Sequence, residues 1–211
     1  MMRLGLLLAA ALLTGSAAPM TREDPPTPVQ VIDAINIARA NPSGYADHLK
    51  DLEPNFHGVI YRDRDYRDGL MTNEGFAAMS DAIIELTKHA PVPPVQISDI
   101  LNQAARKHVE EQGPLGTTGH QSPDGEGPGQ RLVELRGDRY VSEMIAYGAP
   151  TAEAVVRNLA VDDGVRDRGH RHIMFSREYA YAGAACGPHK VFGEMCVVEF
   201  SATPNGAPKA P

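Results

Sequence analysis

The sequence predicts an α+β domain built in layers, on three observations. Segments with apolar residues at helical spacing dominate the N-terminal part, the clearest strand pair lies near the C-terminus, and the two kinds do not alternate regularly. A doubly wound sheet needs regular alternation, so segregated elements packed in layers are the better match. A length of 211 residues suits one domain with processed ends. Its 42% apolar content exceeds that of a disordered chain, while 20 glycines and 17 prolines assign much of it to loops.

The elements follow in order. Arg3, the apolar run Leu4 to Leu13 and the small residues Gly15-Ser16-Ala17-Ala18 have the layout of a secretory signal peptide over residues 1–18. That run is about half the length needed to span a bilayer, so the mature form carries no transmembrane segment. Residues 19–27 read as a linker ending on a helix start: Thr27 as cap, Pro28 at the first position and Gln30 three residues after the cap. Val31, Ile32, Ile35 and Ala38 form the inner stripe of that helix, and Asn41-Pro42 ends it. Residues 52–71 carry dense mixed charge, as in Tyr61-Arg62-Asp63-Arg64-Asp65-Tyr66-Arg67-Asp68, and read as a solvated loop. A second helix is expected from about Thr72 to Lys88, stopped by Pro91, Pro93 and Pro94.

Ser98 caps a third helix, Asp99 to Gln112, with Leu101, Ala104, Ala105 and His108 inward. His108 there reads as a hydrogen-bonded core imidazole. A Gly/Pro/Ser-rich loop follows, then a short helical turn at Arg131 to Leu135 and an extended run at Val141 to Tyr147. Thr151 caps a fourth helix to about Val161. Two apolar runs, Tyr179 to Cys186 and Met195 to Phe200, flank a Gly/Pro-containing loop and read as a hairpin. Cys186 and Cys196 are then either a cross-strand disulfide, which export permits, or a pair of buried thiols. Residues 204–211 read as a flexible tail.

Composition removes some functions. A net charge of −7, nearer −8 without residues 1–18 and their single arginine, excludes nucleic acid as a partner, which needs clustered Lys and Arg. P-loop, G-x-G-x-x-G, H-E-x-x-H and C-x-x-C signatures are missing, and Gln112 stands where a zincin helix starting at His108 needs its second histidine. Five polar residues need a reason. His120 sits in a loop of turn formers, and Glu143 interrupts an apolar strand. Asp162 and Asp163 close a helix at its negative end, where acids are unfavourable without a cation nearby, and His170 follows them closely. Two imidazoles and two carboxylates form a divalent metal site, an acid–base site, or no site at all, remaining surface and capping residues. For a metal, zinc suits this donor set best.

Four motifs in order then carry a resemblance: Gly119-His120-Gln121-Ser122-Pro123-Asp124-Gly125, Ser142-Glu143-Met144-Ile145-Ala146-Tyr147-Gly148, Asp162 to Ile173 with Gly169-His170-Arg171-His172, and Met195 to Phe200. Together they resemble the CAP superfamily, the SCP/TAPS or cysteine-rich secretory, antigen 5 and pathogenesis-related 1 domain, in its bacterial secreted form. The resemblance implies a three-layer α-β-α sandwich around a mainly antiparallel sheet over residues 28–203. It also implies a secreted or periplasmic location and a cleft of two histidines and two acids able to hold zinc or another divalent cation. Carried over by motif, these are His120, Glu143 and His170, with Asp163 preferred to Asp162 as the fourth. The function implied is binding of that cation and of an extracellular ligand, lipid, sterol or protein. The alternatives are a metal-assisted peptidase with Glu143 as general base, and a structural or adhesive module. Two departures stand out: Met144 follows Glu143 where the family has asparagine, and tryptophan is absent, leaving Tyr147, Phe175 or Tyr179 as cleft aromatics.

Overall fold

The computed structural model describes residues 24–209. The signal peptide expected over residues 1–18 lies outside them, as do linker residues 19–23. Helix α1 (Pro28–Ala40) starts on a reciprocal cap: the Gln30 amide donates to Thr27 Oγ1 at 3.3 Å, and the Thr27 amide donates to Gln30 Oε1 at 2.8 Å. Asn41 and Pro42 end α1 and at once begin α2 (Pro42–Asp51), which periodicity does not reveal. Asn41 Oδ1 accepts from the Gly44 amide at 3.0 Å, and Tyr45, Ala46 and Leu49 are buried among polar neighbours that hide the stripe.

The segment expected as a solvated loop is partly buried. It forms a three-stranded antiparallel ribbon of β1 (Phe56–His57), β2 (Ile60–Tyr61) and β3 (Leu70–Met71). The cause is Arg157 of α6 (Ala152–Val161), whose guanidinium lies 5.1 Å and 5.4 Å from the ring centres of the buried Tyr61 and Tyr66 and 3.1 Å from Asp63. Arg62, Arg64 and Arg67 stay exposed, so half of the charge pattern serves solvent and half an internal ion pair.

Then come α3 (Phe76–Leu86), β4 (Gln96–Ile97), α4 (Asp99–Gln112), α5 (Pro128–Glu134), β5 (Ser142–Tyr147), α7 (Gly169–Met174) after α6, β6 (Tyr181–His189) and β7 (Gly193–Ser201). The main sheet has the order β4-β6-β7-β5, with β4 parallel to β6 and the other pairs antiparallel. Alternation along the strands sends Ala182, Ala184, Val198 and Phe200 into the core shared with α1, α3 and α6, and Ala185, Val197 and Ile145 toward Ala105 and Val109 of α4. The result is the three-layer α-β-α sandwich. Gly183 lets α4 lie directly on β6: a Cβ there would sit 2.3 Å from the backbone of Leu101 and Asn102.

Cys186 and Cys196 are opposite one another in the β6–β7 ladder and are joined as a disulfide. The tail expected from residue 204 onward begins tied down: Ser98 Oγ donates to Pro204 O, and the Asp138 and Tyr140 amides donate to Asn205 O and Gly206 O. Its composition suggests looseness, but the bonds are made by backbone carbonyls, which composition cannot show. For the disulfide, Cys186→Ser with Cys196→Ser should lower unfolding free energy by about 2–3 kcal/mol, from closing a short loop. Urea unfolding checks this, and an unchanged midpoint would contradict it.

Candidate functional site

β5 and β7 place Glu143 directly opposite Glu199, and both carboxyl groups are buried on the α4 and α5 side of the sheet. Like charges facing across a ladder are unfavourable, and burial makes each charge costly. Arg131 of α5, itself fully buried, resolves the conflict by donating Nη2 to Glu143 Oε2. Its Nη1 donates to His120 O at 3.0 Å, Ser122 Oγ at 3.2 Å and Glu126 O at 3.3 Å, so one guanidinium compensates the carboxylate and pins the loop beside it. Burial works against the Glu143 charge, but His120, Arg131 and His108 outweigh it and hold the carboxyl below its ordinary range. Burial, then the Glu143 charge, push Glu199 well above that range, so Glu199 is the neutral partner.

His120 is aimed from beneath. Gly119, at φ +105°, offers its carbonyl to Gln112 Nε2 at 2.8 Å and to His108 Nε2 at 2.9 Å, and its amide to Tyr147 Oη at 2.9 Å. His108 is thus the buried, bonded core imidazole its stripe suggests, and burial lowers its pKa. The held loop directs His120 Nδ1 to Glu143 Oε1 at 2.8 Å. Because an ionised carboxylate only accepts, Nδ1 carries a hydrogen, which in the neutral ring leaves the lone pair on Nε2.

His170 is held in the same way from the other layer. Asp162 ends α6 in the left-handed region, at φ +57°, with its side chain turned inward. It accepts from the His170 amide at 2.8 Å and from His170 Nδ1 at 2.7 Å. Asp163, preferred from the sequence, turns elsewhere: its carboxylate accepts from the Asn73 and Glu74 amides at 2.6 Å and 2.8 Å, fastening the approach to α3. Sequence spacing cannot tell these neighbours apart, because the left-handed turn sends their side chains different ways. The two imidazole centres are 6.4 Å apart, and neither Nε2 has a partner among the described residues. Among those residues no group of three or more His, Cys, Asp or Glu side chains is gathered to hold a metal ion.

The pair stands where the sheet ends. His120 comes from the α4 side and His170 from the α6 side, and they meet beyond β5, an edge strand. A groove of about 700 Å³ beside that edge is lined by residues 145–148, by Phe56, Tyr66 and Leu70 of the ribbon, and by Phe192 and His170; His120 and Glu143 are not among its lining residues. Of the aromatics expected in a cleft, Tyr147 lines it; Phe175 packs on His89 instead, and Tyr179 Oη bonds Ser142 Oγ. Sequence reasoning misses Glu199 and Arg131. Glu199 carries the same signal as Glu143, an acid inside an apolar strand, whereas Arg131 carries none.

An α-β-α sandwich with a His/acid cluster wrapped around its sheet edge defines a class, and comparison agrees. The chain belongs to the cysteine-rich secretory protein (CAP) family, whose model matches residues 32–200. Among solved structures it is similar to an outer surface protein from Borrelia burgdorferi, with 20% identity over 52% of this chain and 77% of that one and a TM-score of 0.43. It is also similar to an extracellular protein containing an SCP domain from Bacillus anthracis str. Ames, with 18% identity over 58% of this chain and 37% of that one and a TM-score of 0.44. No curated protein matches.

The Glu199 proton has a consequence for stability. The native carboxyl keeps its proton above the ordinary value of 4.5, where the unfolded chain releases it. This contribution is therefore full below that value and is lost as pH rises toward the native pKa, at up to about 1.4 kcal/mol per pH unit. Glu199→Gln removes the loss, so its stability relative to the parent should increase with pH. Urea midpoints across the acid-to-neutral range measure this, and parallel curves would contradict it.

Proposed function

We propose that the protein is exported and binds an extracellular ligand in the groove along β5, at a centre where His120 and His170 share one divalent cation, zinc by donor type. The observation that carries the reading is the matched pair of carboxylate–imidazole bonds, Glu143 to His120 and Asp162 to His170. A metal-bound histidine usually gives its other N–H to a carboxylate, which fixes the ring and raises its basicity. Two imidazoles sharing one tetrahedral ion through Nε2 stand roughly 5 Å apart between ring centres, given metal–nitrogen bonds near 2 Å. The observed 6.4 Å is wider than that, so the two rings must turn toward each other to share an ion.

The four residues then divide into two jobs. His120 and His170 face the ion, while Glu143 and Asp162 orient them from behind. When bound, the cation supplies a Lewis-acidic point for an oxygen of the ligand. His120, half exposed, stands at the solvent side, and His170 is the more enclosed. Glu143 has one oxygen on His120 and the other on Arg131. It is placed as a holder of the imidazole, and the peptidase alternative gains no support from this geometry. Export rests on the N-terminal Arg3 and apolar run together with the secretory character of the family.

Elemental analysis after zinc loading and dialysis tests the reading. The parent should retain about one zinc per chain and the double variant His120→Ala, His170→Ala essentially none; Asp162→Ala should weaken binding about 10–100-fold, and Asp163→Ala should leave it unchanged. Equal zinc in the parent and the histidine double variant would overturn the proposal.

A further inference from the structure

The groove follows a strand edge, and the ladder shows which polar groups that edge presents. The Gly148 amide donates to Glu194 O at 2.8 Å, which fixes residues 142, 144, 146 and 148 as those bonded toward β7. By alternation, the N–H and C=O groups of Glu143, Ile145 and Tyr147 point away from β7, to the open side. No backbone or side-chain partner for them is found among the described residues. Ile145, Ala146, Tyr147 and Gly148 line the groove together with His170, and Glu143 precedes them on the same strand.

We infer that the ligand taken by this groove is an extended polypeptide segment that pairs with β5 as an added antiparallel or parallel strand, its chain passing the His120–His170 centre. The inference rests on the groove being the binding site but not on the cation. Hydrogen-bond valence favours a polypeptide. An apolar chain such as a fatty acid would fill the groove and dry the edge, leaving three amide donors and three carbonyls unpaired with their desolvation uncompensated. A polypeptide backbone matches those groups at the repeat of a strand, about 6.8 Å for every second residue. Dimensions agree: Glu143 to Tyr147 spans about 14 Å at strand rise, the length of four to five extended residues. The lining offers Phe56, Tyr66, Leu70 and Phe192 as apolar contacts for the segment's side chains. Met71 and Val191, 75% and 65% exposed at the rim, extend the apolar surface that such side chains would cover.

The same edge is a hazard, since unpaired strand edges invite pairing with other chains. Here the residues of the ribbon and Phe192 stand beside it as walls of a groove.

The test uses isotopically labelled protein and three probes: a capped heptapeptide of alternating valine and threonine, the same peptide N-methylated at alternate residues, and laurate. On adding the plain peptide, the amides of Glu143, Ile145 and Tyr147 should gain at least tenfold protection from hydrogen exchange, with Met144 and Ala146 unchanged. N-methylation of the residues whose amides face β5 should weaken binding at least tenfold. The double variant His120→Ala, His170→Ala should still protect Ile145 and Tyr147, which separates this inference from the cation reading. Binding of laurate with no binding of the peptide, equal affinity for the N-methylated peptide, equal protection of odd and even amides, or no protection at all would overturn it.

Discussion

The structure depends on keeping a charge inside a sheet. Glu143 is buried in β5, opposite a second acid in β7, and an isolated carboxylate there would be protonated or would break the ladder. Three features answer this: Glu199 stays neutral, Arg131 is buried as the counter-charge, and His120 takes the remaining Glu143 oxygen. Such an arrangement is poor as a source of stability compared with apolar packing, and removal of one partner strands the others. It makes sense as positioning. The carboxylate that costs the sheet most is the one that aims His120.

Location does the rest. A three-layer sandwich keeps its outer layers apart wherever the sheet lies between them. At β5 the sheet stops, and loops from opposite layers reach each other around it. His120, carried by the loop after α4, and His170, at the start of α7, meet there although fifty residues separate them. The same edge supplies the floor of the groove, and the ribbon anchored by Arg157 to Tyr61 and Tyr66 supplies a wall. Site and groove therefore share one cause.

Local signals in the sequence are legible where a cap or breaker acts within a few residues. Thr27, Ser98 and Thr151 mark three helix starts, and the spacing of Cys186 and Cys196 matches a real register pair. The helix after Pro42 is not legible, because its buried apolar residues are scattered among polar ones. The ribbon over residues 56–71 is hidden for another reason: its burial depends on Arg157, nearly a hundred residues away. In the site, polarity in an apolar run flags Glu143, whose carboxylate accepts from His120. Choosing between Asp162 and Asp163 requires the left-handed turn at Asp162, a backbone fact with no sequence signature there. Arg131 is invisible because nothing local distinguishes a buried arginine from a surface one.

The central claim is that Glu143 and Asp162 hold two imidazoles with Nδ1 protonated and Nε2 open. Long-range proton–nitrogen NMR of the histidine rings in metal-free protein tests it most directly, at about pH 8.5 where an ordinary imidazole is neutral. His120 and His170 should both show a protonated Nδ1 and an unprotonated Nε2. Protonated Nε2 atoms, or the averaged signals of freely exchanging tautomers, would contradict it.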